Sequence, residues 1–286
     1  GRRLPRGLSV AAGWQWLLDP DLNPDTNDAP DVVNNSWGFT QYPDQCIDDS
    51  EFSFHLDLQA LKASEIGVVF AAGNAGPWLY TSTSLANYPE SYAVGAVDEG
   101  YTIANFSSRG PSACDGALFP TAVAPGVNVK TADRTYGGVF PETYTYVSGT
   151  SFSAPHVSGA MALLLNAVPG AGVSELEVAL NDSVLDLGIS GADNDYGYGL
   201  IDVVQAYDIL SRSAPQCNDV DGDGFYAESG CGTQQDCNDN DSSINPGALE
   251  VKHNDIDEDC NGYDLTIDII EAVYDSKKDT LDITAT

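Results

Sequence analysis

Gly149-Thr150-Ser151-Phe152-Ser153-Ala154-Pro155-His156-Val157-Ser158-Gly159 opens the longest apolar stretch of the chain, which continues through Ala160-Met161-Ala162-Leu163-Leu164-Leu165-Asn166-Ala167. The segment 151–167 reads as a buried central helix, and Pro155 falls in its first turn, where a missing N–H is tolerated. Ser151 then stands where backbone N–H groups without helical partners, and the positive end of the helix dipole, favour developing negative charge. An acyl-transfer nucleophile needs such surroundings, although a serine there also serves as a plain helix cap.

Outward from this helix, short apolar runs alternate with helix-period segments. Residues 31–35 (DVVNN) read as a strand, 52–66 as an amphipathic helix stopped by Gly67, and 68–72 (VVFAA) as a buried strand. Further strands are expected at 92–97 (YAVGAV) and 121–124, and further helices at 173–185 and 201–210, parted by the glycine-rich turn 197–199. Alternation of this kind builds a doubly wound parallel sheet with helices on its faces, an α/β fold.

Composition limits what the chain can bind. Its 286 residues hold 43 acidic and 11 basic side chains, a net charge of -32, yet 42% are hydrophobic, enough for a packed core. A basic face for nucleic acid or anionic lipid is excluded, so cations are the expected charged partners. No apolar run reaches the roughly 18 residues of a membrane span. The chain opens Gly-Arg-Arg-Leu-Pro and contains a single methionine, Met161, which points to sequence preceding Gly1. Six cysteines, Cys46, Cys114, Cys217, Cys231, Cys237 and Cys260, favour an oxidising, extracytoplasmic setting.

The 149–159 string resembles the active-site serine motif of subtilisin-like serine proteases. The resemblance extends over about 9–210 through Asn35-Ser36-Trp37-Gly38, Ala71-Ala72-Gly73-Asn74, Ala104-Asn105-Phe106-Ser107-Ser108-Arg109-Gly110-Pro111 and Ala124-Pro125-Gly126. Gly13-Trp14-Gln15-Trp16-Leu17 and 30–38 (PDVVNNSWG) point to the bacillopeptidase F-like branch. Carried over, the resemblance makes Ser151 the nucleophile and Asn74 the side-chain donor to the oxyanion. It makes Ser36, Trp37 and Gly38, with Ala72 and Gly73, the strips that pair with a polypeptide substrate and wall its P1 pocket; Trp37 also reads as a core residue. An aspartate at the oxyanion position would mark the sedolisins instead.

Subtilases take their base and its carboxylate from a His-Gly-Thr helix start and an Asp-Thr-Gly or Asp-Ser-Gly strand end, and neither string occurs here. His55 reads as an ordinary helix residue, His156 matches a buried structural position of the family, and His253 lies in the acidic tail. The expectation is therefore the C-terminal two-thirds of a catalytic domain, catalytically incomplete by itself. The rival is a non-catalytic, calcium-binding surface or adhesion protein that reuses the fold.

The text changes near 211–216. Residues 215–286 carry 18 of the 43 acidic side chains against 3 of the 11 basic ones. Such a segment needs ions or disulfides to order it. Asp219-Val220-Asp221-Gly222-Asp223-Gly224 sets carboxylates at alternate positions with glycine at the turns, the first half of a calcium loop. Asp236, Asp239 and Asp241, then Asp255, Asp257 and Asp259, supply further oxygen ligands. Residues 217–264 resemble an Asp-rich metal-binding repeat of secreted bacterial proteins, and the all-oxygen chemistry suits Ca²⁺ over copper. The family's usual cysteine is replaced by Lys252, which leaves the four tail cysteines open among three pairings. Cys46 and Cys114 are candidates for another disulfide.

Residues 265–286 alternate apolar and polar around the turn 275–279, a hairpin that would begin a β-sandwich. The expected domains are thus 1–214 (part of a subtilase catalytic domain), 215–264 (a calcium-binding module) and 265–286. The expected setting is extracellular, with the C-terminal modules serving attachment to a cell surface or matrix.

Overall fold

The computed structural model describes residues 6–23, 26, 28–39, 44–47, 54–133, 143–213, 217–228, 231, 233–264, 269–275 and 280–285. The chain divides into two compact units, Gly1–Ser213 and Ala214–Thr286.

The first unit is built on four parallel strands in the order β1 (Val32–Asn35), β2 (Gly67–Ala71), β3 (Tyr92–Val97) and β4 (Ala122–Pro125). Val33 pairs with Val68, Phe70 with Ala93 and Gly95 with Val123, so each strand advances the sheet by one place. β2 and β3 are buried throughout, which is why they read as continuous apolar runs rather than alternating ones.

The pleat sorts their side chains to two faces. Val68, Phe70 and Ala72 point into a cluster with Trp14 of helix α1 (Arg6–Leu18) and Phe54, Leu58 and Leu61 of helix α2 (Phe54–Ala63). On the other face, helix α3 (Thr150–Ala167) crosses all four strands, and the space over Gly67 is taken by the Met161 sulfur. Helices α4 (Val173–Asp182) and α5 (Val203–Ser213) pack against each other and against α3. Helices therefore cover both faces, as the doubly wound reading requires.

Several limits differ from the sequence reading. α1 was not expected as a helix. Helix 173–185 ends at Asp182, because Leu185 exchanges both backbone hydrogen bonds with Leu200 instead. A short antiparallel pair, β5 (Val129–Ala132) with β6 (Tyr144–Val147), was not expected either.

Among the described residues of the second unit, little regular structure precedes β7 (Ile269–Asp275) and β8 (Thr280–Ala285), which pair antiparallel with an irregularity between Ile269 and Glu271. Of the turn expected at 275–279, residues 276–279 lie outside the described residues, and Asp275 ends β7. The acidic stretch is tied by Cys217–Cys231 and Cys237–Cys260, which resolves the open pairing, while Cys46–Cys114 closes loops of the first unit.

Candidate active site and acidic clusters

Ser151 is the second residue of α3, and Gly149 before it has φ 149°, a conformation that side chains resist. The Gly149 N–H donates to Gly126 O at 2.8 Å, which fixes the entry of the helix against the end of β4. The Ser151 hydroxyl donates to Ser36 O at 3.3 Å, while the Ser36 hydroxyl donates to Ser151 O at 2.8 Å. The first residues of α3 are thereby joined to the loop that leaves β1.

Asn74 follows the carboxyl end of β2, where ligands gather in open parallel sheets. Its Oδ1 accepts the Thr150 N–H at 3.0 Å and the Thr150 hydroxyl at 3.1 Å. The Thr150 hydroxyl oxygen in turn accepts the Gly73 N–H at 3.2 Å. With the carbonyl end so engaged, the amide end of Asn74 is oriented as a donor. Thr150 is a positioning residue that sequence reasoning passed over, though it stands directly before the quoted serine.

Ser36, Gly38, Ala71, Gly73, Asn74 and Thr83 line a cavity of about 60 Å³ that also touches Ser151. Ala71, rather than the expected Ala72, faces it; Ala72 is fully buried and donates its N–H to Val94 O. Trp37 reaches the same cavity while stacking on Trp14 at 5.7 Å and meeting Phe70 edge-on. Trp37 is 38% exposed, so it borders the aromatic residues of the core without being buried among them.

The histidines are engaged elsewhere. His55 stacks on Tyr88 and sits 2.9 Å from a Glu90 carboxylate oxygen. His156 is exposed, not buried as expected, with Nδ1 2.8 Å from Phe152 O in the preceding turn.

Comparison with known proteins bears directly on this geometry. A family model described as "Subtilase family" matches residues 6–199. The chain belongs to the subtilase family. Among its relatives, Bacillopeptidase F of Bacillus subtilis is 36% identical over 210 residues, 69% of this chain and 13% of that protein. Subtilisin DY of Bacillus licheniformis is 39% identical over 202 residues, 69% of this chain and 61% of that protein. The chain therefore spans less than two-thirds of the length of either relative. A solved structure, that of the prenylagaramide maturation protease PagA, shares the fold with a TM-score of 0.55 at 21% identity, over 73% of this chain and 70% of that one. A metal-binding motif model matches residues 236–264 of this subtilase.

In its acidic stretch, two sets of carboxylates share Asp221: Asp219, Asp221 and Asp239, and Asp221, Asp223 and Asp236. The backbone shapes the second set. Asp221 Oδ1 accepts the Asp223 N–H, Asp223 Oδ1 the Phe225 N–H, and Asp236 Oδ1 the Asn238 N–H, each two residues on. The Oδ2 atoms of all three are covered and lack a hydrogen-bond partner, and Asp236 is only 3% exposed. Desolvation, then repulsion from Asp223, Asp236 and Asp219, pushes the Asp221 carboxyl above its ordinary range against the pull of the Asp223 N–H. Three covered, unpartnered carboxylate oxygens fit a hard cation with oxygen ligands.

Glu250, Asp257 and Asp259 form a third set, with Asp257 accepting the N–H groups of Asn261 and Gly262. Glu250 was passed over as a ligand in favour of Asp255. Among the described residues, Asp241 and Asp255 join none of these sets. Asp241 is held below the usual carboxylate range by the hydroxyl and N–H of Ser243, and the Asp255 N–H donates to Asp264 Oδ2.

Proposed function

We propose that this chain is part of a secreted serine endopeptidase that hydrolyses peptide bonds through an acyl-enzyme on Ser151. The reading rests above all on the junction of Ser151 and Asn74, in which Thr150 holds the carbonyl end of the amide and leaves its N–H₂ to donate. In this reading Ser151 Oγ adds to the substrate carbonyl carbon and its proton passes to a histidine base. The charge developing on the carbonyl oxygen is met by Asn74 Nδ2 and by backbone N–H at the start of α3. Ser36-Trp37-Gly38 on one side, and Ala71 with Gly73 on the other, flank the bound peptide.

Because the sequence holds neither His-Gly-Thr nor Asp-Thr-Gly or Asp-Ser-Gly, the proposal assigns the base and its carboxylate to sequence N-terminal to these residues in the full-length protein. The chain by itself would then be inactive. Three disulfides support an extracytoplasmic setting. Residues 215–264 are assigned as a calcium module, with Asp221, Asp223 and Asp236 holding one Ca²⁺ to screen their mutual repulsion. Residues 265–286 are assigned as the start of a separate β domain.

Labelling of the full-length protein with a fluorophosphonate tests the reading. Ser151→Ala is expected to abolish labelling; equal labelling defeats the assignment and favours the non-catalytic adhesion protein. Asn74→Ala is expected to slow turnover by about 10²–10³-fold, the cost measured for such a donor in subtilisin.

A further inference from the structure

The string Ala104-Asn105-Phe106-Ser107-Ser108-Arg109-Gly110-Pro111 helped carry the family resemblance, yet the reaction proposed above makes no use of it. Two adjacent serines in it, both fully buried, bind in opposite directions. Ser107 faces the sheet: its Oγ accepts the Ala96 N–H of β3 at 3.1 Å, and the nearby Ala104 N–H donates to Ala96 O at 2.8 Å. Ser108 faces the strip that follows β2. Its N–H donates to Gly73 O at 2.9 Å, and its Oγ accepts the Ala75 N–H at 3.1 Å. Phe106 O accepts the Gly76 N–H at 2.9 Å just beyond.

These partners bracket Asn74. Gly73 O belongs to the peptide group before Asn74, and the Ala75 N–H to the peptide group after it. Each group is planar, so only φ and ψ of Asn74 are left to turn, and one residue holding an atom of each plane limits both. The strip needs such a hold, because β2 ends at Ala71 and Gly73, at φ 109°, leads the chain off the sheet. Asn74 is itself exposed, so burial does little to fix it. A Cβ on Gly73 would lie 2.7 Å from Ser108 Oγ, too close for real atoms, so glycine there admits the clasp. Serine brings a backbone donor and a side-chain acceptor to one place; alanine keeps only the donor.

Resting on the protease reading above, we infer that Ser108 is a positioning residue for the oxyanion donor. It fixes the backbone of Asn74, while Thr150 fixes the carbonyl end of the amide. Ser108 is buried and does not line the cavity, so it acts through Asn74 and not on the substrate. A donor held in place before the reaction meets the developing charge without reorganising. Misplacement by about 1 Å can cost on the order of 10²-fold.

A double-mutant cycle on the full-length protein tests this. kcat and KM for a peptide p-nitroanilide are measured for the unaltered protein, Ser108→Ala, Asn74→Ala and the double variant. Ser108→Ala is expected to lower kcat about 10-fold and to move KM less than about 2-fold, since the charge exists only in the transition state. With Asn74 already replaced by alanine, Ser108→Ala is expected to cost less than about 2-fold more. A merely structural serine costs the same in both backgrounds. Equal losses, a loss carried by KM, or no loss overturns the role of Ser108 and leaves the protease reading standing. An unchanged kcat in Asn74→Ala, or no turnover by the unaltered protein, overturns the protease reading and the inference with it. Should Ser108→Ala not fold, Ser108→Cys, whose sulfur is a weak acceptor, takes its place in the cycle. Its loss is expected to depend on Asn74 in the same way; an equal loss in both backgrounds overturns the inference.

Discussion

The two units solve the problem of order in opposite ways. In the first, Phe54, Leu58, Leu61, Val68 and Phe70 are removed from water around one sheet, and the acidic surplus is a solvated exterior. In the second, Leu249 is 90% exposed and Tyr263 79% exposed, while Asp236, Asp239 and Glu258 are buried. Apolar burial stabilises the first; loop closure, backbone N–H groups and a proposed cation stabilise the second. Aspartate accepts backbone N–H groups in both units, as Asp98 and Asp202 do in the first and Asp219 and Asp257 in the second, but the gathered and covered set Asp221, Asp223 and Asp236 belongs to the second.

The comparison breaks most readily at its apolar side. Phe70→Ala empties a fully buried site at the crossing of Trp14, Trp37 and the sheet, and is expected to destabilise the first unit by about 3–5 kcal/mol. Thermal unfolding with separate probes for each unit checks this; an unchanged first transition shows that the sheet core does not hold the unit.

Next in size is the paired replacement of Cys237 and Cys260 by serine. The 23-residue separation closed by that bond predicts a loss of about 3 kcal/mol, confined to the second unit. Retention of the amide pattern of 217–264 in the variant shows that the turns suffice.

Calcium at about 100 times its dissociation constant is expected to raise the stability of the second unit by about 2.7 kcal/mol. Asp236→Asn is expected to abolish that gain and leave the first transition in place. Chelation without effect on the second transition removes the cation from the account.

The smallest effect concerns Asp241, an exposed carboxylate held low by Ser243. A depressed folded value contributes stability that is present above the ordinary carboxylate pKa and lost as pH falls through the depressed one. Ser243→Ala is expected to return Asp241 toward the ordinary value in a ¹³C carboxyl titration; an unmoved titration rules Ser243 out as the cause.

Much of the first unit was legible because its strands are short apolar runs between helix-period segments. α1 escaped because Trp14 and Trp16 sit among small residues with no N-terminal signal. β5 and β6 escaped because four residues with half-exposed, alternating polarity resemble any loop. The end of the helix at Asp182 was hidden for another reason: Leu185 is recruited by Leu200, a partner 15 residues away whose claim no local pattern announces. In the second unit, Asp219, Asp221 and Asp223 were read from alternation and glycine placement, and Asp236 and Asp239 from their nearness in the chain; which of these two joins which set, and the place of Glu250 beside Asp257 and Asp259, depend on how the disulfide-tied loops fold.

The sequence by itself determined the family, the parallel α/β plan, the serine at the head of a buried helix and the acidic character of the tail, since each rests on residues adjacent in the chain. Only the tertiary structure decided that Thr150 engages the carbonyl end of Asn74, that Trp37 stacks on Trp14 beside the cavity, and that Thr83 joins its lining. Those are contacts among segments tens of residues apart, and the packing that joins them is fixed by the sheet register and the helix that crosses it.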